Sequence, residues 1–487
     1  MKQHSIFYNF IMNIVLTMSS YMFPLITFPY ISRILLPAGT GKVSFATSIV
    51  SYFVLVAQLG IPIYGIRACA KVRDDQEEFN KNVQEILLIN IIMCIIAYIL
   101  FALSLFCVPR FREEKKMLIV TSASILLTTL GAEWVFKALE MYSYITWRSI
   151  FFKTIALATM FFLVHKQEDY IIYGAISIFA SSASNILNFI YLHKLVDFQK
   201  RFKLDLKKHM KPIFVFFAMS CATTVYLQLD TVMLGFIKTD VDVGYYNAAV
   251  KIKNMLLSIV TSLGAVLLPR VTAYLEKQEN EKFKNLSVKA IRFILFISIP
   301  MLVYFTMFAR PVILLLAGTA YEGAIFPMQL IMPTLLFIGL TNLMGIQILV
   351  PMGKERKVLA STIVGAVIDF GLNMILIPRY SSAGAAIGTM VAEIAVFVYQ
   401  YFSDLDIFKK LFCNINLWKF IISTAVAAIA SIWVLKLEAG CFWILLISAI
   451  CFSSIYLLSL LLMKEIFVQE IIEMIQRSIA SLSRERT

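Results

Sequence analysis

A chain of 487 residues that is 60% hydrophobic and only 15% charged lies outside the composition of soluble globular domains. Its mean hydropathy of +0.81 predicts an all-α polytopic membrane protein. In such a protein a net charge of +14 belongs to cytoplasmic loops and anionic lipid, so no nucleic-acid partner is expected. The seven cysteines are scattered, without a C-x-x-C, and read as small core residues. The four histidines stand at the ends of apolar runs and read as interfacial. No metal site and no cofactor are predicted.

Apolar stretches of about 20 residues, the length of a crossing helix, predict fourteen spans. The first, 7 to 34, is too long for a signal-peptide core and lacks a small-residue cleavage site, so it is predicted to be retained. It carries Asn9, Asn13, Thr17, Ser20 and Thr27 at compatible helical spacing, with bends predicted at Pro24 and Pro29. Arg33, beyond the bends, is open between a cavity and an interfacial place. The second span, 42 to 67, presents Ser44, Ser48, Ser51 and Gln58. Spans follow at 83 to 108, 117 to 138, 144 to 165 and 170 to 192. Glu133 and Lys137, four apart on the fourth, are predicted to neutralise each other. Arg148 and Lys153 lie on the fifth, Lys153 nearer its middle, where water or a cavity must solvate it.

A basic linker, 192 to 211, leads to the seventh span, 212 to 237, and its Asp230. An acidic residue near mid-helix costs about 2.5 to 3.5 kcal/mol on insertion scales, so Asp230 is expected to face protein or water. The eighth span, 244 to 268, carries Asn247, Lys251, Asn254, Ser258 and Ser262 at spacings of four and three, one polar face of a helix. Lys253 lies about 200° from Lys251 around a 3.6-residue turn and is expected to pack or to snorkel outward. The remaining spans are 289 to 309, 324 to 350, 358 to 378, 383 to 403, 417 to 436 and 441 to 463. Asp369 and Glu393, near the centres of the eleventh and twelfth, are candidates to share a proton or to pair structurally. The tail, 464 to 487, has the spacing of an amphipathic surface helix.

An even number of spans puts both termini on one side. The loops 192 to 211 and 270 to 289 hold seven and five Lys/Arg, which makes that side cytoplasmic. The connections are too short to hold a catalytic domain, and no G-x-x-x-x-G-K-[ST] loop is present, so neither an enzyme nor direct ATP use is indicated. An internal repeat is visible. Gly41-Lys-Val-Ser-Phe-Ala46 matches Gly244-Tyr-Tyr-Asn-Ala-Ala249, and Leu59-Gly60 matches Leu263-Gly264. Six spans separate the copies, so the repeats are parallel. The expected domains are a six-helix lobe with its linker, 1 to 210, a second lobe, 211 to 410, two extra helices over 411 to 463, and the tail.

The Asp230 to Ala249 segment, its repeat around Arg33 to Gly60 and the fourteen-span layout resemble the polysaccharide-transporter branch of the multidrug/oligosaccharidyl-lipid/polysaccharide exporter superfamily. The resemblance implies two six-helix lobes around a central cavity. It implies alternating access that moves an undecaprenyl-diphosphate-linked oligosaccharide to the outer leaflet of a bacterial plasma membrane, for O-antigen, capsule or exopolysaccharide synthesis. Implied partners are that lipid-linked oligosaccharide, membrane lipids, and the polysaccharide polymerase and chain-length machinery. Within this expectation Lys251, Asn247, Asn254, Ser258, Ser48, Ser51, Gln58, Lys153 and Arg148 are cavity candidates. Asp230, Arg33, Asp369 and Glu393 are gate or coupling candidates, with a pair between Arg33 and Asp230 linking the lobes. A cation-coupled multidrug or metabolite antiporter of the same superfamily is the alternative, with Asp369, Glu393 and Asp230 as its coupling sites.

Overall fold

The computed structural model describes residues 6–476 apart from 201, 414, 471, 474 and 475, so most of the tail predicted over 464 to 487 lies outside the described residues. Among the described residues every element is helical. By packing, the chain divides into two units, Met1–Asn247 and Ala248–Thr487.

The first unit contains α1 (Ile6–Gln58), α2 (Ile61–Ala70), α3 (Gln76–Cys107), α4 (Pro109–Glu113), α5 (Lys115–Gly131) and α6 (Glu133–Ala138). It continues through α7 (Tyr142–Leu163), α8 (Tyr170–Ile178), a π-helical turn, α9 (Asn185–Leu195), α10 (Lys207–Ile237) and the start of α11 (Asp240–Thr261). A 53-residue helix such as α1 would be about 80 Å long at 1.5 Å per residue, far more than one bilayer crossing of about 30 Å. The chain solves this at Leu36, whose dihedrals (φ 58, ψ 175) are not helical. That break falls immediately before Pro37, where the preceding residue is disfavoured in the helical region and proline is well placed to start a new helix. At Pro24 and Pro29, where bends are predicted, helical dihedrals continue, and the interruption of the helix is at Leu36.

Residue pairing gives the directions of the helices. Tyr8 meets Ser143, Thr146 donates to the Met12 carbonyl, Lys153 to Ser19, and Tyr30 to the Val164 carbonyl. Each pair is 134 or 135 residues apart, so the first half of α1 and α7 run parallel. The second half of α1 runs antiparallel to α10. Gly41 lies on Asp240, Phe45 on Gly235 and Phe236, Ser48 on Gln228, and Gly60 on Phe216 and Phe217. Because α10 packs on α1 and α2 in this way, the packing boundary falls inside α11 and not at the basic linker.

The second unit contains the rest of α11, α12 (Gly264–Glu276), α13 (Asn280–Met307), α14 (Ala309–Leu316), α15 (Ile325–Ile331), α16 (Thr334–Asn342) and a π-helical segment, Leu343–Leu349. It closes with α17 (Glu355–Ser403), α18 (Leu405–Phe412), α19 (Leu417–Ser431) and α20 (Cys441–Leu462). α17 breaks at Ser381 (φ 49, ψ −128) into an antiparallel hairpin. Gly384 lies on Leu376 and Gly388 on Asn373, and Gln400 donates to Ser361 at 3.0 Å. Its core joins Ile291, Leu295, Leu343, Phe420, Phe452 and Leu460. Among the described residues, nine helices are long and apolar enough to cross a membrane, ten if the bent pair Thr319–Ile331 and Thr334–Leu349 forms one span. Two of the nine, Ile11–Ala70 and Glu355–Ser403, exceed one crossing.

Candidate functional site

The polar face predicted on the first span is covered in part by α7. Lys153 Nζ donates to Ser19 Oγ at 3.1 Å and Ser20 Oγ at 2.9 Å, and no carboxylate among the described residues forms an ion pair with it. One and a half turns earlier on α7, Arg148 is 5% exposed and meets Glu133 at 3.1 Å and the Ser184 carbonyl at 3.1 Å, and its guanidinium lies 5.7 Å from the Tyr144 ring. Glu133 also holds Lys137 at 2.8 Å, as the spacing predicted. One carboxylate thus faces two cations, and with Lys153 this region keeps two surplus positive charges. Of the three cations only Arg148 is buried, while Lys153 is half-buried and Lys137 shares the partly exposed Glu133.

The second predicted polar face, on α1, is tied to α10. Ser48 donates to Gln228 Oε1 at 2.8 Å, while Ser51 turns back on the Ser48 carbonyl and Gln58 is half-buried. Asp230, 5% exposed, accepts the Tyr246 hydroxyl across the α10–α11 hairpin, and Asn247 donates to Thr231 at 3.3 Å. Arg33 is exposed and donates to the Pro29 carbonyl at 3.2 Å.

At the end of the unit where α1 turns, an ionic clasp joins four elements. Lys42 meets the buried Glu114 at 2.6 Å, Tyr170 donates to the same carboxylate, and Arg110 pairs with Glu113 at 2.7 Å and with Asp240. Arg110 also lies over the Phe45 ring. Burial, more than the attraction of Arg110, governs Asp240 and raises its carboxyl above the ordinary value. Lys42, the residue immediately after the repeat glycine Gly41, is the signal of this clasp that the sequence carries.

In the second unit, Asn373 donates to Asp369 at 3.2 Å within α17, and Gly388 on the returning helix leaves room for both. Asp369 is 1% exposed and Glu393 is buried on the same returning helix. Lys251 and Ser258 are half-buried and Asn254 is exposed. Lys253 is 8% exposed, on the face of α11 that also buries Ile252, Leu256 and Val260, so it packs and does not snorkel outward. His209 corrects the interfacial reading. α10 begins at Lys207, which turns the ring inward between Tyr64 and Glu85. Of the cysteines, Cys69 and Cys94 are buried but Cys107 and Cys413 are exposed, so the small-core reading fails for the last two.

A two-unit helical membrane transporter with broken crossing helices and buried charge inside its spans is the class that this architecture defines. Comparison with known proteins is consistent with that class. A family model described as polysaccharide biosynthesis protein matches residues 6–275, and a second model, MatE, matches 216–375. The chain belongs to the polysaccharide biosynthesis protein family and is a polysaccharide transporter of the multidrug/oligosaccharidyl-lipid/polysaccharide exporter superfamily. It is similar to a protein of Escherichia coli (strain K12) named "Putative O-antigen transporter", at 23% identity over 78% of this chain and 91% of that protein. A protein of the same name from Shigella dysenteriae is 24% identical over 78% of this chain and 96% of that one. Among solved structures, the lipid II flippase MurJ in an inward closed conformation superposes with a TM-score of 0.75 at 15% identity, over 95% of this chain and 99% of that one. A multidrug resistance MATE family transporter in an inward-facing conformation gives 0.57 at 15% identity, over 79% of this chain and 98% of that one. These likenesses establish the fold.

Proposed function

We propose that this protein moves undecaprenyl-diphosphate-linked oligosaccharide repeat units from the cytoplasmic to the outer leaflet of a bacterial plasma membrane by alternating access, with both termini cytoplasmic and without catalysing a covalent reaction. The observation that carries this reading is Lys153. It is a half-buried ammonium in the middle of α7, held by two hydroxyls and matched by no carboxylate among the described residues. A diphosphate crossing a low-dielectric slab needs fixed positive charge, and Lys153 with Arg148 supplies it. A hydrated glycan needs a wet polar surface, the role proposed for Asn247, Lys251, Asn254 and Ser258 on α11 and for Ser48, Ser51 and Gln58 on α1. The names of the bacterial relatives support the glycan class. The glycan-assembly machinery, polymerase and chain-length proteins, is the proposed set of neighbours.

Asp369 and Glu393 are proposed to couple transport to a cation gradient, and no cofactor is required. The MatE match over 216–375 covers Asp369 and favours, as a second reading, a cation-coupled antiporter. Substitution of Lys153 separates the two. Under the flippase reading Lys153→Ala removes delivery of lipid-linked glycan at unchanged protein abundance, and Lys153→Arg keeps part of it. Normal surface polysaccharide in Lys153→Ala would overturn the reading.

A further inference from the structure

A charged cavity stands apart from α7, where α2, α3 and α10 meet at the end of the first unit that bears the basic linker. It measures about 480 Å³ and is lined by Tyr64, Arg67, Lys71, Lys208, His209 and Phe216, with Glu78 and Asn82 on the α3 side. Its walls are fixed by close packing. A Cβ on Gly60 would stand 2.4 Å from the Phe217 nitrogen, and one on Gly65 2.6 Å from the Trp134 ring, so α2 lies in close contact with α10 and α6.

The floor is a closed polar network. Glu85, wholly buried, accepts from Lys208 at 2.7 Å, from His209 at 2.8 Å and from the Asp205 backbone amide at 2.8 Å. A carboxylate only accepts, so His209 donates through Nε2, and its Nδ1 is left to accept the Tyr64 hydroxyl at 2.6 Å. Each of these groups is satisfied within the protein. The rim is different. Arg67 spreads its guanidinium 5.7 Å from the Phe216 ring, and neither Arg67 nor Lys71 has a carboxylate partner among the described residues. Glu85 offsets Lys208 and Glu78 offsets one of the other two, so the cavity keeps a surplus positive charge. Beside it α10 exposes Phe214 and Val215, an apolar flank of the kind that faces acyl chains.

We propose that this cavity binds the phosphate group of a lipid, with Arg67 and Lys71 as its direct ligands, Lys208 held by Glu85 as a positioned third cation, and Phe214 and Val215 flanking the acyl chains. Arginine suits phosphate through its planar fork of donors, and basic pockets between crossing helices at the cytoplasmic face take anionic headgroups. The assignment of this end to the cytoplasmic leaflet rests on the proposed orientation, but binding itself does not depend on the flippase reading.

The full-length protein, purified in detergent, is titrated with dioleoyl phosphatidylglycerol, with dioleoyl phosphatidylcholine and with inorganic diphosphate. Thermal midpoint and bound lipid by native mass spectrometry are read for wild type, for Arg67→Gln/Lys71→Gln, and for Lys194→Gln/Lys203→Gln, which removes two exposed lysines from the same linker end. Phosphatidylglycerol raises the wild-type and Lys194→Gln/Lys203→Gln midpoints by several degrees, and the Arg67→Gln/Lys71→Gln midpoint by less than half as much, with one fewer tightly bound lipid. Phosphatidylcholine does not discriminate among the three. A rise with inorganic diphosphate that is lost in Arg67→Gln/Lys71→Gln assigns recognition to the phosphate alone, and a rise with phosphatidylglycerol only assigns it to the lipid headgroup. Equal rises in all three proteins, or equal losses in both variants, would overturn the proposal.

Discussion

Gly41 and Gly244 make reciprocal contacts. A Cβ on Gly41 would stand 1.8 Å from the Asp240 carbonyl oxygen, and one on Gly244 2.1 Å from the carbonyl oxygen of Pro37. The same chain offset of 203 residues relates Gly41 to Gly244 and Pro37 to Asp240. Within the first unit, Pro37 to Gly41 and Asp240 to Gly244 therefore meet through equivalent positions, as in a self-complementary two-fold contact. Glycine is retained in both copies because backbone lies against backbone there.

Gly41→Ala and Gly244→Ala are each expected to cost roughly 1 to 3 kcal/mol through overpacking. Gly371→Ala, whose Cβ would meet nothing within 4 Å, should be neutral or slightly stabilising in its helix. Thermal unfolding of the purified proteins compares them. Equal midpoints for all three would contradict the close approach.

Acidification should act on the clasp through Asp240. Burial raises its carboxyl above the unfolded value, so the folded protein takes up this proton at a higher pH than the unfolded chain. The contribution of Asp240 to stability therefore grows as pH falls through the raised value, and levels off below the ordinary carboxylate range. Wild type should gain thermal midpoint relative to Asp240→Asn between pH 7 and pH 4. A difference that stays flat over that range would refute the shift.

Glu85→Gln leaves three donors facing a weaker acceptor in a buried place. Breaking a buried ion pair from one side costs about 3 to 5 kcal/mol, and the solvent access of Lys208 places this loss near the lower end. Tyr64→Phe, which removes one hydrogen bond, should cost about 1 kcal/mol. Unfolding midpoints, together with protease cleavage of the 196 to 206 linker, report both. Cleavage that is unchanged in Glu85→Gln would mean that Glu85 does not anchor the linker.

Much of this was legible in the sequence. Apolar runs and helical spacing gave the class, and the repeat showed Gly41 and Gly244 as equivalent positions, while their mutual contact is visible only in the structure. The site was only half legible. Lys153 was recognised as a cation in need of solvation, but Lys251 had the cleaner polar stripe and drew the main expectation. The contact of Lys153 with Ser19 and Ser20, from 133 or 134 residues away, is one that spacing along a single helix does not encode. His209 was misread for a related reason, since its surroundings depend on where α10 begins.

Asp369→Asn and Glu393→Gln should abolish the response of transport to an imposed proton or sodium gradient in membrane vesicles while leaving the protein abundant. Both carboxyls are buried in the α17 hairpin, where a change of charge is strongly felt. Full gradient dependence in both variants would remove them from coupling.

Single cysteines introduced in the 192 to 211 and 270 to 289 loops, in a background without accessible native cysteines, should resist an impermeant thiol reagent applied to intact cells. Cys107 and Cys413 are exposed and must be replaced first. Labelling of the new cysteines would reverse the orientation.

The parallel pairing of α1 with α7 also bears on how the protein is made. The first half of α1 leaves the ribosome with Ser19, Ser20 and the Met12 carbonyl awaiting partners that are encoded 133 or 134 residues later. At about 5 to 20 residues per second, synthesis takes roughly 7 to 27 seconds to reach them. During that interval the hydroxyls of Ser19 and Ser20 keep their local acceptor, the Leu16 carbonyl, but lack the Lys153 donor. A pause or truncation between residues 60 and 150 should therefore leave the amino-terminal helix a substrate for membrane quality control.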